Sequence, residues 1–371
     1  MSGKVLITGG AGFIGSHLAD ELLQAGYEVR VLDNLLAQVH GPMDRPPAYL
    51  SPEAEFIKGD VRDSDVVHRA LEGVRAVFHF AAAVGVGQSM YEMQHYTSIN
   101  ALGTAVLLES LIDRPVGKLI VASSMSFYGE GLYQDARGRL LHEARRSGDQ
   151  LRAGQWELLD ERGQPLEPVP TDETKRPDLW SVYTLGKYDQ EQMALMIGRT
   201  YGFDVAALRF FNVFGPRQAL SNPYTGVLAI FASRLLNGKP PLIFEDGRQR
   251  RDFVSVHDVA RAARLALEEP LAAGQVLNIG SGRSYTIREV AEKMAQVLDR
   301  SMAPVIAGKY RTGDVRHCFA GISKAKELLG YEPQTCLEDG LTELADWLRG
   351  QSAIDRVDQA ALELERRGLT L

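Results

Sequence analysis

The chain has 371 residues, and its 41 lysines and arginines are outnumbered by 48 aspartates and glutamates, giving a formal net charge of −7. With 45% hydrophobic and 24% charged residues, the composition is that of a globular protein, which excludes collagen-like, coiled-coil and disordered chains. The acidic balance gives no general attraction to nucleic acid or to an anionic membrane, although it leaves room for a local basic pocket. At about 150 residues per domain, the length predicts two domains.

The first 33 residues follow the order strand, glycine turn, helix, strand and acid. Lys4–Thr8 is a short apolar run typical of a buried strand, residues 16–24 have helical composition, and residues 29–32 form a second apolar run. Glycines at 9, 12 and 15 permit a tight turn, a close approach of backbone to pyrophosphate and close packing of the helix. The pattern predicts a dinucleotide site at the helix N-terminus. The alternative is a glycine-rich turn without a ligand.

Acidic residues follow the second and third predicted strands. Asp33 stands 18 residues after Gly15, where a carboxylate can bind the adenosine ribose hydroxyls and repel a 2′-phosphate, which favours NAD over NADP. Asp60 ends the third strand, residues 55–61, and can hydrogen-bond to adenine, with Val61 in contact with the ring. The sequence is equally compatible with Asp60 as the N-terminal cap of a helix beginning near Ser64.

Further strands are predicted at residues 76–80, 118–122 and 205–208, with helical segments between them. This alternation predicts a Rossmann-type, doubly wound parallel α/β sheet, in which ligands bind beyond the carboxyl ends of the strands. Those ends carry Gly9, Asp33, Asp60, Ala81 and Ser123-Ser124.

Two segments lie outside this alternation. Residues 131–175 mix charged residues, glycine and proline and predict an inserted surface excursion, ordered by Trp156. Beyond Gly215 the elements become shorter, which predicts a smaller α+β substrate-binding domain followed by an amphipathic terminal helix at 351–371. The predicted division is therefore an NAD-binding domain at 1–182, to which a strand near 204–211 returns, and a nucleotide-sugar-binding domain mainly at 212–371.

Tyr183 and Lys187 lie four residues apart and share one face of a predicted helix. A nearby ammonium and an oxidised nicotinamide both favour the phenolate, so Tyr183 can exchange a proton with a substrate hydroxyl near neutral pH. Tyr-x-x-x-Lys alone is also a common surface pair. The serine-rich turn at Ser123-Ser124, beyond the fifth strand, strengthens the catalytic interpretation, because a hydroxyl there can hold the same substrate oxygen.

These motifs together resemble those of the extended short-chain dehydrogenases/reductases, in the NAD-dependent nucleotide-sugar epimerase/dehydratase family, over about residues 3–349. Residues 209–217, 251–254 and 311–315 add to the resemblance. The resemblance implies that Ser124 and Tyr183 are catalytic, that Lys187 binds the nicotinamide ribose and tunes Tyr183, and that arginines bind the substrate diphosphate or nucleoside. Surface salt bridges are the alternative role for each arginine.

The complete predicted site follows from the motifs and this resemblance. The predicted NAD contacts are Gly9, Gly12, Phe13, Ile14, Gly15, Asp33, Asn34, Asp60, Val61, Ala81, Ala82, Ala83, Asn100, Ser123, Tyr183 and Lys187. The predicted substrate contacts are Ser124, Ser126, Asn212, Arg217, Arg251, Arg311 and Asp314. No metal site is predicted.

The reaction is inferred from what the serine motif lacks. Relatives that eliminate water or carboxylate carry an acid where this chain has Ser126, and 4,6-dehydratases carry Asp where it has Met125. The resemblance therefore implies C4 epimerisation: Tyr183 takes the C4 hydroxyl proton, NAD takes the hydride, and the 4-keto sugar turns over before hydride returns. The chain is thus expected to be an isomerase of the carbohydrate epimerase class, with no net redox change.

The substrate is inferred from local departures. Val84 stands where many UDP-galactose 4-epimerases have Lys, while residues 221–227, the insertion and the tail resemble a bacterial subgroup of dTDP-L-rhamnose 4-epimerases. A dTDP-6-deoxysugar such as dTDP-L-rhamnose is expected. UDP-glucose, UDP-galactose and UDP-glucuronate epimerisation, a dehydratase or reductase activity, and a non-enzymatic NAD sensor are the alternatives.

Neither a signal peptide nor a membrane span is predicted, and the two cysteines show no disulfide or metal pattern. We therefore expect a cytoplasmic protein with no nucleic-acid or membrane partner. The resemblance also implies a homodimer formed through helices near residues 100–113 and 180–200.

Overall fold

A computed structural model describes residues 3–220, 222, 224, 226–310, 313–351, 355 and 357–370. The strands, in chain order, are β1 (Lys4–Thr8), β2 (Glu28–Asp33), β3 (Glu55–Lys58), β4 (Val74–His79), β5 (Lys118–Ser124), β6 (Leu132–Gln134), β7 (Leu140–Leu141), β8 (Glu167–Val169), β9 (Asp204–Phe210), β10 (Asn212–Phe214), β11 (Leu242–Ile243), β12 (Arg250–Arg251), β13 (Phe253–Ser255), β14 (Val276–Ile279), β15 (Tyr285–Thr286), β16 (Val305–Ile306) and β17 (His317–Cys318).

The helices, in chain order, are α1 (Phe13–Gln24), α2 (Ala37–His40), α3 (Ser64–Ala70), α4 (Val86–Ser89), α5 (Met93–Thr97), α6 (Gly103–Asp113), α7 (Gly148–Arg152), α8 (Val182–Tyr201), α9 (Val227–Leu236), α10 (Val256–Glu268), α11 (Ile287–Val297), α12 (Ser323–Leu329), α13 (Leu337–Leu348) and α14 (Val357–Arg366). A π-helical turn at Ser98–Leu102 leads into α6, and 3-10 turns lie at Met125–Tyr128 and Pro270–Ala272. Among the described residues, no helix is long and apolar enough to cross a membrane.

Seven strands form a parallel sheet in the order β14-β9-β5-β4-β1-β2-β3. The predicted α/β class and parallel sheet are confirmed. The chain adds strands on one side of β1 and then on the other, so the strand order reverses between β1 and β4. In doubly wound sheets this reversal opens a crevice at the carboxyl ends of the strands.

Side chains alternate between the two faces of the sheet along each strand. Helices cover both faces, so the side chains on each face are buried. On β1, Val5 and Ile7 face the layer of α1 and α10, while Leu6 faces the layer of α3, α6 and α8. All three side chains are at most 2% exposed. This two-sided burial explains why the strands are apolar runs and not alternating polar and apolar sequences.

A second apolar core lies beyond Gly215. It is built from α9, α11 and α13, with Phe231, Met294 and Leu341 fully buried in it. The chain crosses between the two cores, because β14 and α10 lie within residues 212–371 yet pack in or on the large sheet.

The insertion at 131–175 is more ordered than predicted. It contains an antiparallel sheet in the order β7-β6-β8 and the short helix α7. Its own small core consists of Tyr133, Leu158 and Leu166. Trp156 does not organise this core; it lies against Tyr310, with ring centroids 6.2 Å apart.

Of the terminal helix predicted at 351–371, the structure describes α14 over Val357–Arg366, and residues 352–354, 356 and 371 lie outside the described residues. Asp358 of α14 pairs with Arg234 at 2.6 Å and with Lys239 at 2.9 Å. At the other end of the helix, Arg367 stacks on Tyr91, 4.1 Å from the ring centroid.

Candidate functional site

A cavity of about 480 Å³ opens at the carboxyl ends of the parallel strands, where the strand order reverses. Its walls come from the glycine loop after β1, the segments after β2, β3, β4 and β5, the start of α8, and residues between Phe210 and Gly226. Of the predicted site, the cavity brings together Gly9, Gly12, Phe13, Ile14, Gly15, Asp33, Asn34, Asp60, Val61, Ala81, Ala82, Ala83, Ser123, Ser124, Ser126, Tyr183, Lys187 and Asn212.

Gly9 and Gly15 of the glycine loop leave no room for a side chain. Gly9 has φ +70°, and a Cβ there would lie 2.7 Å from the backbone nitrogen of Ala81. A Cβ on Gly15 would lie 2.4 Å from the Gly9 carbonyl oxygen. The first turn of α1 has no acidic residue, and no described side chain caps it. Its backbone N–H groups and positive dipole end therefore suit a pyrophosphate.

Asp33 is buried beside this loop. Its Oδ2 accepts from the backbone nitrogen of Ala11 at 3.1 Å and its Oδ1 from that of Leu35 at 2.9 Å. The carboxylate thus ties the glycine loop to the turn after β2, in addition to lining the cavity.

Asp60 forms a bidentate pair with Arg62, with contacts of 2.8 Å and 2.7 Å. Hydrogen bonding to Arg62 is the main cause that lowers the pKa of Asp60 to about 2. The alternative role as a helix cap is wrong, because Asp63 caps α3 by accepting from the backbone of Asp65 and Val66. Asp60 also accepts from Asn34 at 3.1 Å, which joins the segments after β2 and β3.

Ser124, Tyr183 and Lys187 lie together at the far end of the cavity, after β5. A reciprocal cap between Ser181 and Thr184 starts α8, so that Tyr183 falls in its first turn and Lys187 one turn later. The Ser124 Oγ lies 2.9 Å from the Ser126 Oγ.

Burial shifts the pKa values of both Tyr183 and Lys187. It raises the pKa of Tyr183, and hydrogen bonding to the Ser124 and Ser126 hydroxyls opposes part of that rise. Burial lowers the pKa of Lys187 to about 7, opposed by the charge of Glu191. Burial therefore brings the pKa of the Lys187 ammonium closer to neutrality and takes the pKa of the Tyr183 phenol further from it, so added positive charge is needed to favour the phenolate.

Asn100 is fully buried and does not line the cavity. Its side chain accepts from the backbone nitrogen of Ala83 at 2.8 Å and donates to the Ala83 oxygen at 3.1 Å. Asn100 therefore holds the segment of residues 81–83, which lines the cavity, in place. A direct contact between Asn100 and NAD stays a prediction.

The two predicted arginines that the structure describes, Arg217 and Arg251, do not line the cavity. Arg217 pairs with Asp20 at 2.8 Å and stacks over Tyr49. Arg251 donates to the carbonyl oxygens of Arg250 and Arg316, each at 3.0 Å.

Two predicted substrate contacts remain, Asp314 and Arg311. Asp314 also lies away from the cavity, 3.8 Å from Arg251. Arg311 lies outside the described residues. All of these substrate contacts stay predictions.

Sequence reasoning missed polar residues that close and support the cavity. Gln38, after β2, donates to Gln88, after β4, at 2.9 Å, and lies 3.4 Å from the Asn222 Oδ1. Gln190, on α8, accepts from Lys187 at 2.6 Å. The only sequence signal for Gln190 was its position three residues after Lys187, on the same helical face.

Comparisons with known proteins agree with this geometry. The sequence pattern of the NAD dependent epimerase/dehydratase family matches residues 5–150 and 158–280. The dTDP-L-rhamnose 4-epimerase of Burkholderia thailandensis is 35% identical, covering 93% of this chain and 94% of that protein.

Two solved structures are similar over nearly their whole length. The UDP-glucose 4-epimerase of Thermotoga maritima, solved with UDP-glucose, has a TM-score of 0.75 and 33% identity, covering 93% of this chain and 98% of that one. The UDP-glucuronic acid 4-epimerase of Bacillus cereus, solved with UDP-glucuronic acid and NAD, has a TM-score of 0.75 and 28% identity, covering 93% and 99%. The expected fold, NAD cofactor and isomerase class are confirmed, and the chain belongs to the NAD dependent epimerase/dehydratase family.

Proposed function

We propose that the chain is a nucleotide-sugar 4-epimerase, which oxidises C4 of the sugar transiently to a ketone and reduces it again from the other face. One observation carries the reaction type. Among the described residues that line the cavity, the carboxylates are Asp33, the last residue of β2, and Asp60, which follows β3. The end after β5 carries Ser124, Tyr183 and Lys187 and presents serine and methionine at positions 126 and 125. Elimination needs a further acid or base at these two positions in addition to Tyr183, whereas epimerisation does not.

The proposed chemistry assigns a task to each side chain. Ser124 Oγ and Tyr183 Oη hold the C4 oxygen, and Tyr183 takes the hydroxyl proton and later returns it. When bound, NAD supplies the hydride acceptor and donor and, in its oxidised form, a positive charge. The Lys187 ammonium also favours the phenolate, which offsets the burial that raises the pKa of Tyr183.

For the substrate, we propose a dTDP-6-deoxysugar such as dTDP-L-rhamnose. This proposal rests on the 35% identity with the Burkholderia thailandensis enzyme over 93% of the chain. Asn212 lines the cavity and is the proposed diphosphate contact. Arg217, Arg251, Arg311 and Asp314 remain proposed ligands of the diphosphate or the nucleoside.

The test is incubation of the purified holoenzyme with single nucleotide sugars, without added reductant, followed by NMR of the products. We expect inversion at C4 of dTDP-L-rhamnose, with no accumulation of NADH. Inversion of UDP-glucose or UDP-glucuronate alone would move the substrate assignment to UDP-sugars. Loss of water or carbon dioxide would refute epimerisation.

Tyr183→Phe tests the assigned base. We expect it to lower kcat at least about a hundredfold while NAD stays bound, because it removes only the proton-transfer group. Tyr201→Phe, an exposed position on the same helix, is the control and should keep normal activity. Near-normal turnover by Tyr183→Phe would contradict the mechanism.

A further inference from the structure

Gln190 is the direct hydrogen-bond partner of Lys187. It is fully buried on α8, and its Oε1 accepts from Lys187 Nζ at 2.6 Å. Its Nε2 donates to Thr104 Oγ1 at 2.9 Å and lies 3.4 Å from the Ala81 carbonyl oxygen. An ammonium has donors only, so the amide oxygen must face Lys187 and the amide nitrogen must face the acceptors.

The groups behind Gln190 fix this orientation. Thr104 Oγ1 donates to the Asn100 carbonyl at 2.6 Å and therefore accepts from both Gln190 and His79 Nε2, the latter at 2.8 Å. His79 Nδ1 then accepts from Thr8 Oγ1 at 2.8 Å. Burial, and secondarily the charge of Lys187, lower the pKa of His79 to about 3, which keeps this imidazole neutral.

The charged side chains near Lys187 are paired with groups other than Lys187. The negative charge of Glu191 raises the pKa of Lys187. The Glu191 carboxylate itself accepts hydrogen bonds from Arg209 of β9 at 2.9 Å and 2.6 Å and from Ser123 at 2.6 Å. Other titratable side chains among the described residues of this region include Tyr183 of α8, His79 of β4, His95 and Tyr96 of α5, and Tyr224. The segment from β5 through the following turn contributes the hydroxyls of Ser123, Ser124 and Ser126.

Resting on the proposed function, we propose that Gln190 is a positioning residue of the reaction: its side-chain carbonyl holds the Lys187 ammonium one turn from Tyr183, and its neutrality sets the pH range in which the Tyr183–Lys187 pair transfers protons. A glutamate at this position would form an ion pair and keep the lysine charged at higher pH. An apolar side chain would leave a buried ammonium without its acceptor, which disfavours the charged form.

The test compares Gln190→Glu and Gln190→Met in the full-length holoenzyme. Gln192→Glu and Gln192→Met are the matched controls, two residues along the same helix and partly exposed. Lys187 is titrated by NMR of protein labelled with ¹³C-lysine, and its signal is assigned from its loss in Lys187→Met. A kcat–pH profile is measured with the substrate found active.

We expect Gln190→Glu to raise the titration midpoint of Lys187 by about one pH unit or more, and Gln190→Met to lower it. The fall of kcat at high pH should move in the same direction, since neutral lysine no longer favours the phenolate, while KM changes by less than about threefold. A merely structural role would lower thermal stability and leave both the midpoint and the profile in place.

An unchanged Lys187 midpoint in the Gln190 variants, or an equal shift in the Gln192 controls, would overturn the proposal. If Gln190→Glu fails to fold, Gln190→Met decides by the presence or absence of its downward shift. The lysine titration needs no sugar substrate. A shifted midpoint in an enzyme that inverts no nucleotide sugar would therefore refute the proposed function and leave the Gln190–Lys187 contact standing.

Discussion

At the scale of single residues, Gly9 shows how the cofactor loop depends on the absence of one carbon atom. Its φ of +70° is left-handed, and a Cβ would meet the backbone of Ala81 at 2.7 Å. Gly26 has a similar φ of +84°, but a Cβ there would meet nothing within 4 Å. The two glycines therefore separate the cost of the backbone conformation from the cost of the clash.

We expect Gly9→Ala to destabilise the protein by about 1–3 kcal/mol more than Gly26→Ala does, because rigid backbone must move to admit the methyl group. Gly9→Ala should also weaken NAD binding, whereas Gly26→Ala should not. Urea denaturation and NAD titration by calorimetry measure the two effects. Equal stabilities and equal NAD affinities would show that the close approach to Ala81 is unimportant.

The local motifs were the predictable part of the site. Glycine spacing, Asp33 and the Tyr183–Lys187 pair are each defined within a few residues of sequence, and the structure brings them to one cavity. Gln88 was not predictable, because its partner Gln38 lies 50 residues away. Such pairs depend on strand order, which no single segment encodes.

At the scale of elements, pairing between distant segments also limited what could be predicted of the sheet. Six of its strands were predicted, but β14 was not, since four residues returning to the sheet edge beside β9 look like any short apolar run. The sheet within the insertion was also missed. Its strands are two or three residues long, too short for a periodic pattern.

The insertion is anchored by Glu157. This carboxylate accepts from the fully buried guanidinium of Arg316 and lies 2.9 Å from His317 Nε2. Hydrogen bonding to His317 and Arg316 outweighs desolvation and lowers the pKa of Glu157 to about 2. A carboxylate whose pKa is lower in the folded state stabilises the fold above its unfolded pKa and loses that contribution as pH falls through the folded value.

We therefore expect Glu157→Gln to destabilise the protein at pH 7, with the difference from wild type shrinking between about pH 4.5 and pH 2. The effect should be about 1 kcal/mol, because Glu157 is partly exposed and Arg316 keeps Glu245 and Asp246 as partners. Denaturation curves across this pH range measure it. Glu161→Gln, exposed in the same insertion, is the control and should leave the stability at pH 7 unchanged.

The terminal helix α14 offers a matched pair of leucines. Leu364 is 6% exposed and lies against Gly87, whereas Leu362 is 55% exposed. We expect Leu364→Ala to loosen α14, seen as faster amide hydrogen exchange over 357–366, because a terminal helix opens locally before the protein unfolds. Leu362→Ala should leave exchange unchanged. Equal exchange in both variants would show that ion pairs alone hold the helix.

At the scale of the whole molecule, the two apolar cores support the proposed division into an NAD-binding domain, at 1–182 with a strand near 204–211, and a nucleotide-sugar-binding domain mainly at 212–371. The cores are joined by chain crossings and not by one linker, since β14 and α10 return to the large sheet. The cavity takes walls from both parts, including Ser124 from the first and Asn212 from the second.

We propose a homodimer formed through the helices near residues 100–113 and 180–200. The turn at Ser98–Leu102 packs beside α8, and the two leave Leu102, Leu185 and Met196 about half exposed. Light scattering should give twice the 40.8 kDa chain mass. Leu185→Glu should yield monomers, because a charge would be buried in the interface. Wild-type protein of monomer mass would contradict the proposal.

The contact between Gln38 and Gln88 has a consequence for metabolism. It joins the segments after β2 and β4, both of which line the proposed cofactor cavity. An epimerase returns the electrons that it borrows. If this contact helps to keep NAD in place, each protein molecule would reuse one NAD over many cycles, and its turnover would be independent of the ratio of free NAD to NADH in the surrounding solution.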